Sequence, residues 1–319
     1  MNRRPGVPKS SLKFRGKNRL GRLLTAMVTP FDAQGEVDYQ QARRLALALL
    51  DSGSDGVVVA GTTGESPTLS LDERMRLFAE IKSAVGDRGA VVGGTGNNDT
   101  RESQEFTKEA EKIGVDACLL VVPYYNRPTQ QGLWEHFKAI AQSTTLPCII
   151  YNVPSRTVTN LAADTLIKLS QIDNIVGVKE ASGNFGQIAE IIQEIREDFL
   201  VYSGNDSDTF PILALGGYGV ISVASHLVGI QIKDMIERFL NGKPQEAAKI
   251  HRYLLPLVNA LFIVSNPVPV KWALNYVGFP VGKPRLPLVE PDEKSADLIK
   301  ATLKKYKKNY KIDLPIPRG

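Results

Sequence analysis

Eight short runs of apolar and β-branched residues recur along the chain: "LLTAMV", "GVVVAG", "AVVGGT", "ACLLVV", "CIIYNV", "IVGVKE", "LVYSGN" and "GVISVA". Each has the length and residue types of a buried strand. Helical patterns lie between them. From Asp38 to Leu50, Ala42, Leu45, Ala46, Leu49 and Leu50 form a stripe of period 3.6. A second helix opens at Ser70, where Glu73 three residues on makes a capping box ahead of "RMRLFAEIKSAV". Glycines 53, 86, 114 and 217 punctuate several helix-to-strand returns, and Pro147 and the Asp173-Asn174 pair mark others.

Strands that alternate with helices build a parallel sheet, and eight such units close into a (β/α)8 TIM barrel. The competing arrangement is a doubly wound sheet that binds a dinucleotide through "GGTGNND". Gly94 and Gly96 supply its first two glycines, but Asp99 stands in the third place, where a carboxylate repels a pyrophosphate. Beyond the eighth run, Val228 to Phe262 and Glu293 to Tyr306 read as further helices. The expected organisation is a basic extension at 1–22, a catalytic barrel at 23–227, and a C-terminal helical region with a basic tail at 228–319.

Composition agrees with one large barrel: 319 residues, 43% of them hydrophobic. The longest apolar runs fall far short of the ~20 residues a membrane helix needs, so no membrane association is expected. The net charge of +5 comes from the ends. Residues 1–22 hold eight Lys/Arg and no acid, and the tail from Lys304 to Gly319 adds six more against Asp313 alone, so the body between them is net acidic. The front end has a single aromatic, Phe14, and neither end has a recognition motif, so a solvated extension is expected rather than a nucleic-acid arm. The front segment also has the basic, acid-free character of a targeting peptide, without its serine content or amphipathic period. Cys118 and Cys148 sit inside apolar runs with no metal or CxxC spacing, which fits a reduced, cytoplasmic protein. His136, His226 and His251 match no ligand spacing, so no metal site is expected.

In such a barrel the chemistry sits where strands end at their C-terminal side. Polar residues concentrate there: Thr62 and Thr63 in "GTTGE", Tyr124 and Tyr125 in "PYYNRP", Tyr151 and Arg156 in "YNVPSRT", Lys179 in "GVKE", and Gly204 in "SGND". Singly, each has an ordinary structural role: a lysine that snorkels, a core tyrosine, threonines that cap a turn. Glu65 and Glu180 read as structural partners by the same logic. Together, from five strands, they suit one reaction. A lysine desolvated between barrel walls is a neutral amine, which attacks a ketone to give a Schiff base; loss of the neighbouring proton then gives an enamine that adds to an aldehyde. Tyr151 can relay the protons, hydroxyls and backbone N–H groups near Thr62-Thr63 can hold a carboxylate, and Arg156 can grip a second one. Small keto and aldehyde acids fit better than sugar phosphates, because the last two strand-end loops lack a glycine-rich phosphate cradle.

The motifs "GTTGES", "PYYNRP", "YNVPSRT", "GVKEASG", "SGND", "GVISV" and "NPVPVKWAL" occur in one order from Leu23 to about Ala301. In this the chain closely resembles the dihydrodipicolinate synthases, within the pyruvate-dependent class I aldolase family that includes N-acetylneuraminate lyase. The resemblance implies Lys179 as the Schiff-base lysine for pyruvate, with no cofactor beyond that covalent adduct, and a proton relay of Tyr151, Thr62 and Tyr125. It implies that Tyr125 enters the neighbouring subunit's site, so that a homodimer is the minimal active unit and a tetramer, a dimer of dimers, the usual form. Thr63 would bind the pyruvate carboxylate, Gly204 and Ile221 would supply backbone contacts, and Arg156 would meet the carboxylate of L-aspartate 4-semialdehyde. The implied reaction opens the diaminopimelate route to lysine. A sister aldolase for a 2-keto-3-deoxy sugar acid or N-acetylneuraminate, and a noncatalytic ligand-sensing barrel, are the alternatives; Arg156 speaks against the first and the retained lysine and tyrosine against the second. One departure concerns regulation. Lysine-inhibited bacterial members carry two histidines where this chain has Leu71 and Arg74, although Ser66, Asn98, Glu102 and Tyr124 match other parts of that effector site. Weak or absent feedback by lysine is therefore expected.

Overall fold

The structure, a computed structural model, describes residues 20–309, with side chains to residue 306. Most of the basic N-terminal extension and the end of the tail lie outside the described residues. The chain runs β1 (Leu23–Ala26), α1 (Tyr39–Asp51), β2 (Gly56–Val59), α2 (Leu71–Val85), β3 (Ala90–Gly94), α3 (Thr100–Ile113), β4 (Ala117–Val121), α4 (Gln130–Ala141) and β5 (Cys148–Asn152). It continues through α5 (Pro154–Thr157), α6 (Ala163–Leu169), β6 (Ile175–Glu180), α7 (Phe185–Glu194), β7 (Leu200–Ser203), α8 (Thr209–Leu215), β8 (Gly219–Ser222) and α9 (Ser225–Leu240). Three more helices follow: α10 (Pro244–Leu261), α11 (Val268–Tyr276) and α12 (Glu293–Asn309). The eight strands pair in sequence order, all parallel, and β8 closes on β1 through Leu24 opposite Ile221. The eight apolar runs thus form a (β/α)8 barrel with C-terminal helices.

The helix starts follow the polar punctuation. Asp38 caps α1 by accepting from the Gln41 N–H, and Ser70 and Glu73 form the reciprocal capping box of α2. Asp99, the residue that argued against a nucleotide fold, caps α3 through the N–H groups of Arg101 and Glu102. Gly53, Gly86 and Gly114 turn with positive φ; at the return into β8 that role falls to Gly216 (φ 107°), not Gly217.

Alternation along the strands separates two apolar layers. Residues such as Val57, Val59, Ile150 and Val178 face the helices, whereas Leu24, Val58, Val92, Leu119, Ile149 and Ile221 fill the barrel interior. Each fully buried aliphatic side chain contributes about 1.5–3 kcal/mol, so register is strongly specified. α9 carries non-helical backbone at Val228, and a break over 241–243 separates it from α10. The periodicity did not single out α11, whose "VPVKWALNY" begins among prolines. Among the described residues no helix is long and apolar enough to cross a membrane.

Candidate active site

β6 reaches its lysine through an irregularity. Cys148 pairs with Ile175, but the next residue of β5, Ile149, pairs with Gly177, so Val176 is an extra residue on β6. Ile175 faces the helices. Unbroken alternation would send Lys179 to that same outer layer; the bulge shifts the parity and turns it inward, in register with the inward-facing Tyr151 and Tyr202. Lys179 is 4% exposed, and its Nζ lies 4.2 Å from the centre of the Tyr151 ring. Burial lowers its pKa from the ordinary 10.5 to about 8; the buried carboxylate of Asp206 pulls it up and the Arg156 guanidinium pushes it down. Among the described residues Nζ has no hydrogen-bond acceptor.

A second buried lysine has its amine fully committed to protein acceptors. Lys271 donates to Glu65 Oε1 at 2.8 Å, to the Thr29 carbonyl at 3.0 Å and to the Lys283 carbonyl at 3.1 Å. Both members of this ion pair are 1% exposed, and the backbone N–H of Arg285 donates to the other Glu65 oxygen. Burial lowers the Lys271 pKa to about 8 as well. Its three donors are spent on protein acceptors, so pKa alone does not separate the two lysines; hydrogen bonding does. Glu180 is structural in the same sense, accepting from Asn152 Nδ2 and the Ser182 N–H.

Tyr151 is buried at the end of β5. Burial raises its phenol to about 12, while Arg156 and a hydrogen bond with the Thr62 side chain act in the opposite direction. The phenol is therefore neutral near pH 7 and able to donate or pass a proton without adding charge. Thr62 and Thr63 follow β2. The Thr63 hydroxyl, 2% exposed, accepts from Asn266 Nδ2 at 2.9 Å. Arg156 is held on the short α5 with its Nη2 3.2 Å from the Asn266 carbonyl. The Gly204 N–H donates to the Glu180 carbonyl at 2.7 Å; a Cβ there would come within 3.1 Å of Lys179 Cγ. Ile221 lies in β8, fully buried inside the barrel. Tyr125 stands apart: it is 91% exposed, on a loop with φ 72°.

Two residues that touch this set through charge or a hydrogen bond escaped the sequence reading. Asp206 lies within the "SGND" run yet was not singled out. Its carboxylate accepts from the Ser222 hydroxyl and, at 3.0 Å each, from the N–H groups of Val223 and Ala224, and burial raises its pKa. Asn266 was the other. A cavity of about 190 Å³ at the strand ends is lined by Thr62, Arg156, Ser66, Arg74, Asn97 and Tyr124 among others. Lys179 and Tyr151 are not on its wall. Arg74 donates to the Ser66 carbonyl at 2.8 Å and stacks 4.8 Å over the Phe106 ring.

A buried lysine with no acceptor among the described residues, facing a tyrosine within a parallel eight-stranded barrel, is the arrangement that imine chemistry on a keto substrate requires. The sequence model of the dihydrodipicolinate synthetase family matches residues 19–306. The chain belongs to the dihydrodipicolinate synthetase family. It is accordingly an enzyme, a lyase. The 4-hydroxy-tetrahydrodipicolinate synthase of Dehalococcoides mccartyi strain CBDB1 is 65% identical over 297 residues, 93% of this chain and 99% of the relative. That of Moorella thermoacetica is 57% identical over 284 residues, 89% and 97% of the two chains. Among solved structures, the dihydrodipicolinate synthase of Cyanidioschyzon merolae with lysine bound superposes with a TM-score of 0.88 at 48% identity, covering 89% of this chain and 97% of that one.

Proposed function

We propose that the chain is a 4-hydroxy-tetrahydrodipicolinate synthase, which condenses pyruvate with L-aspartate 4-semialdehyde. The observation that carries the reading is Lys179, desolvated beside Tyr151 with no acceptor for its amine among the described residues. The neutral amine attacks C2 of pyruvate, whose carboxylate the Thr63 hydroxyl receives. The carbinolamine oxygen takes up protons through Tyr151 and Thr62 and leaves as water. The protonated imine draws electrons from C3, which gives up a proton and becomes the enamine. C3 then adds to the aldehyde carbon of the second substrate, whose carboxylate Arg156 holds; the aldehyde oxygen takes up a proton to become a hydroxyl, and the imine re-forms at C2. Attack of that substrate's amine on the imine carbon closes the ring and returns Lys179 as the free amine.

Gly204 leaves the space that the lysine stem occupies, and Asp206 offers a buried negative charge that favours the cationic imine. This chemistry needs no cofactor beyond the covalent adduct. The exposed Tyr125 and the exposed apolar Val158, at 70%, support an oligomer in which Tyr125 completes the relay of a partner subunit, as a homodimer or a dimer of two such dimers. A cytoplasmic location fits the two free, buried cysteines.

The substrate is tested by supplying pyruvate with either L-aspartate 4-semialdehyde or a sugar-acid aldehyde. Turnover is expected with the first and not the second, and Arg156→Ala should raise the KM for the semialdehyde. A preference for the sugar aldehyde would assign the chain to a sister aldolase.

A further inference from the structure

Resting on the reading above, we propose that Asn266, from the C-terminal helical region, is a positioning residue that fixes the donor direction of the Thr63 hydroxyl toward the carboxylate of the keto substrate. Asn266 is 6% exposed and lies 203 positions from Thr63 in the chain. Its Nδ2 donates to Thr63 Oγ1 at 2.9 Å, while its own Oδ1 is buried with no partner among the described residues. A threonine hydroxyl has one proton and two lone pairs. With a lone pair taken by an amide N–H, the proton is free to point into the site, where a carboxylate oxygen accepts it. Had the amide presented Oδ1 instead, the Thr63 proton would be spent on the protein. The Nδ2 contact with Thr63 is the amide's one side-chain hydrogen bond among the described residues.

The surrounding contacts hold this amide in place. Five residues on, Lys271 is locked to Glu65, two residues beyond Thr63 and in left-handed backbone at φ 57°. The segment 266–271 therefore grips the "TGE" turn at both ends. The carbonyl of Asn266 also receives Arg156 Nη2 at 3.2 Å, which links the two carboxylate sites through one residue. Only the side-chain contact is open to substitution, so the two substrates should respond differently.

The test is steady-state kinetics on the full chain for Asn266→Asp and Asn266→Ala. An ionised aspartate accepts the Thr63 proton and places a like charge near the substrate carboxylate, so N266D should raise the KM for pyruvate by roughly tenfold or more. N266A, which frees the hydroxyl to rotate, should raise it by less. In both, the KM for aspartate semialdehyde should stay within about threefold, because the backbone carbonyl that Arg156 meets is retained. KM does not depend on the fraction of folded enzyme, so a merely structural role would appear as lower Tm and lower apparent kcat with both KM values unchanged. That result, or parallel rises in both KM values, would overturn the proposal. Borohydride trapping of pyruvate on wild-type enzyme separates the two levels: an adduct on Lys179 with unaltered KM values in the variants defeats this inference alone, whereas no adduct defeats the parent reading and this one with it.

Discussion

Replacing Lys179 by methionine should make the protein more stable. The two side chains are of similar length, so the substitution opens little space and removes mainly the charge. In the folded protein burial holds the Lys179 pKa at about 8, against an ordinary 10.5. Below pH 8 both folded and unfolded chains carry the proton, and the folded state bears the full penalty of the buried ammonium. Between about 8 and 10.5 the unfolded chain binds more protons than the folded one, so wild-type stability rises with pH across that window. A shift of this size corresponds to roughly 3 kcal/mol. With an unfolding entropy of about 2.1 cal/mol/K per residue over roughly 290 residues, that is a Tm increase of about 5 °C for Lys179→Met at pH 7. Thermal unfolding of both proteins at pH 7 and pH 10.5 measures it, and titrations shared by the two, including Lys271, cancel in the difference. The gain should be present at pH 7 and nearly gone at pH 10.5. A variant no more stable at pH 7, or one whose advantage is independent of pH, would refute the claim that Lys179 is held against an electrostatic penalty.

Tyr151→Phe should lower kcat by about 10²–10⁴-fold with Tm little changed, as expected for loss of a proton relay; a drop under tenfold would remove Tyr151 from the chemistry. Gly204→Ala places a Cβ 2.8 Å from Ala181 Cβ and 3.1 Å from Lys179 Cγ, and should slow pyruvate adduct formation, read as the rate of borohydride inactivation, while the fold persists. Millimolar L-lysine should leave the initial rate nearly unchanged, because Leu71 offers no acceptor and the Arg74 guanidinium repels a lysine ammonium; halving of the rate would show that the remaining polar groups suffice.

The barrel was legible because each of its strands and several of its helices announce themselves locally, through apolar runs and caps such as Ser70 and Asp38. The placement of Lys179, Tyr151 and the Thr62-Thr63 turn at strand ends followed from that count alone. What no local pattern revealed was the inward turn of Lys179. It depends on Val176 being an unpaired residue between β5 and β6, a fact of register rather than composition. The clamp made by Asn266 and Lys271 joins positions 203 and 206 residues apart, so no spacing in the chain signals it. Asp206 was within reach of sequence reasoning, as an acid closing an apolar run in "SGND", but its hydrogen bonds come from β8 and the turn after it, which only the folded barrel brings near. Tyr125 illustrates the opposite limit: its motif was plain, yet in the single chain it is almost wholly exposed to solvent.

The central claim is that Lys179, and not the equally buried Lys271, is the amine that takes up the keto substrate. Borohydride reduction in the presence of pyruvate, followed by proteolysis and mass mapping, tests it directly. The account predicts inactivation and a single carboxyethyl group on the peptide that contains Lys179; an adduct on Lys271 or another lysine, or none at all, would contradict it.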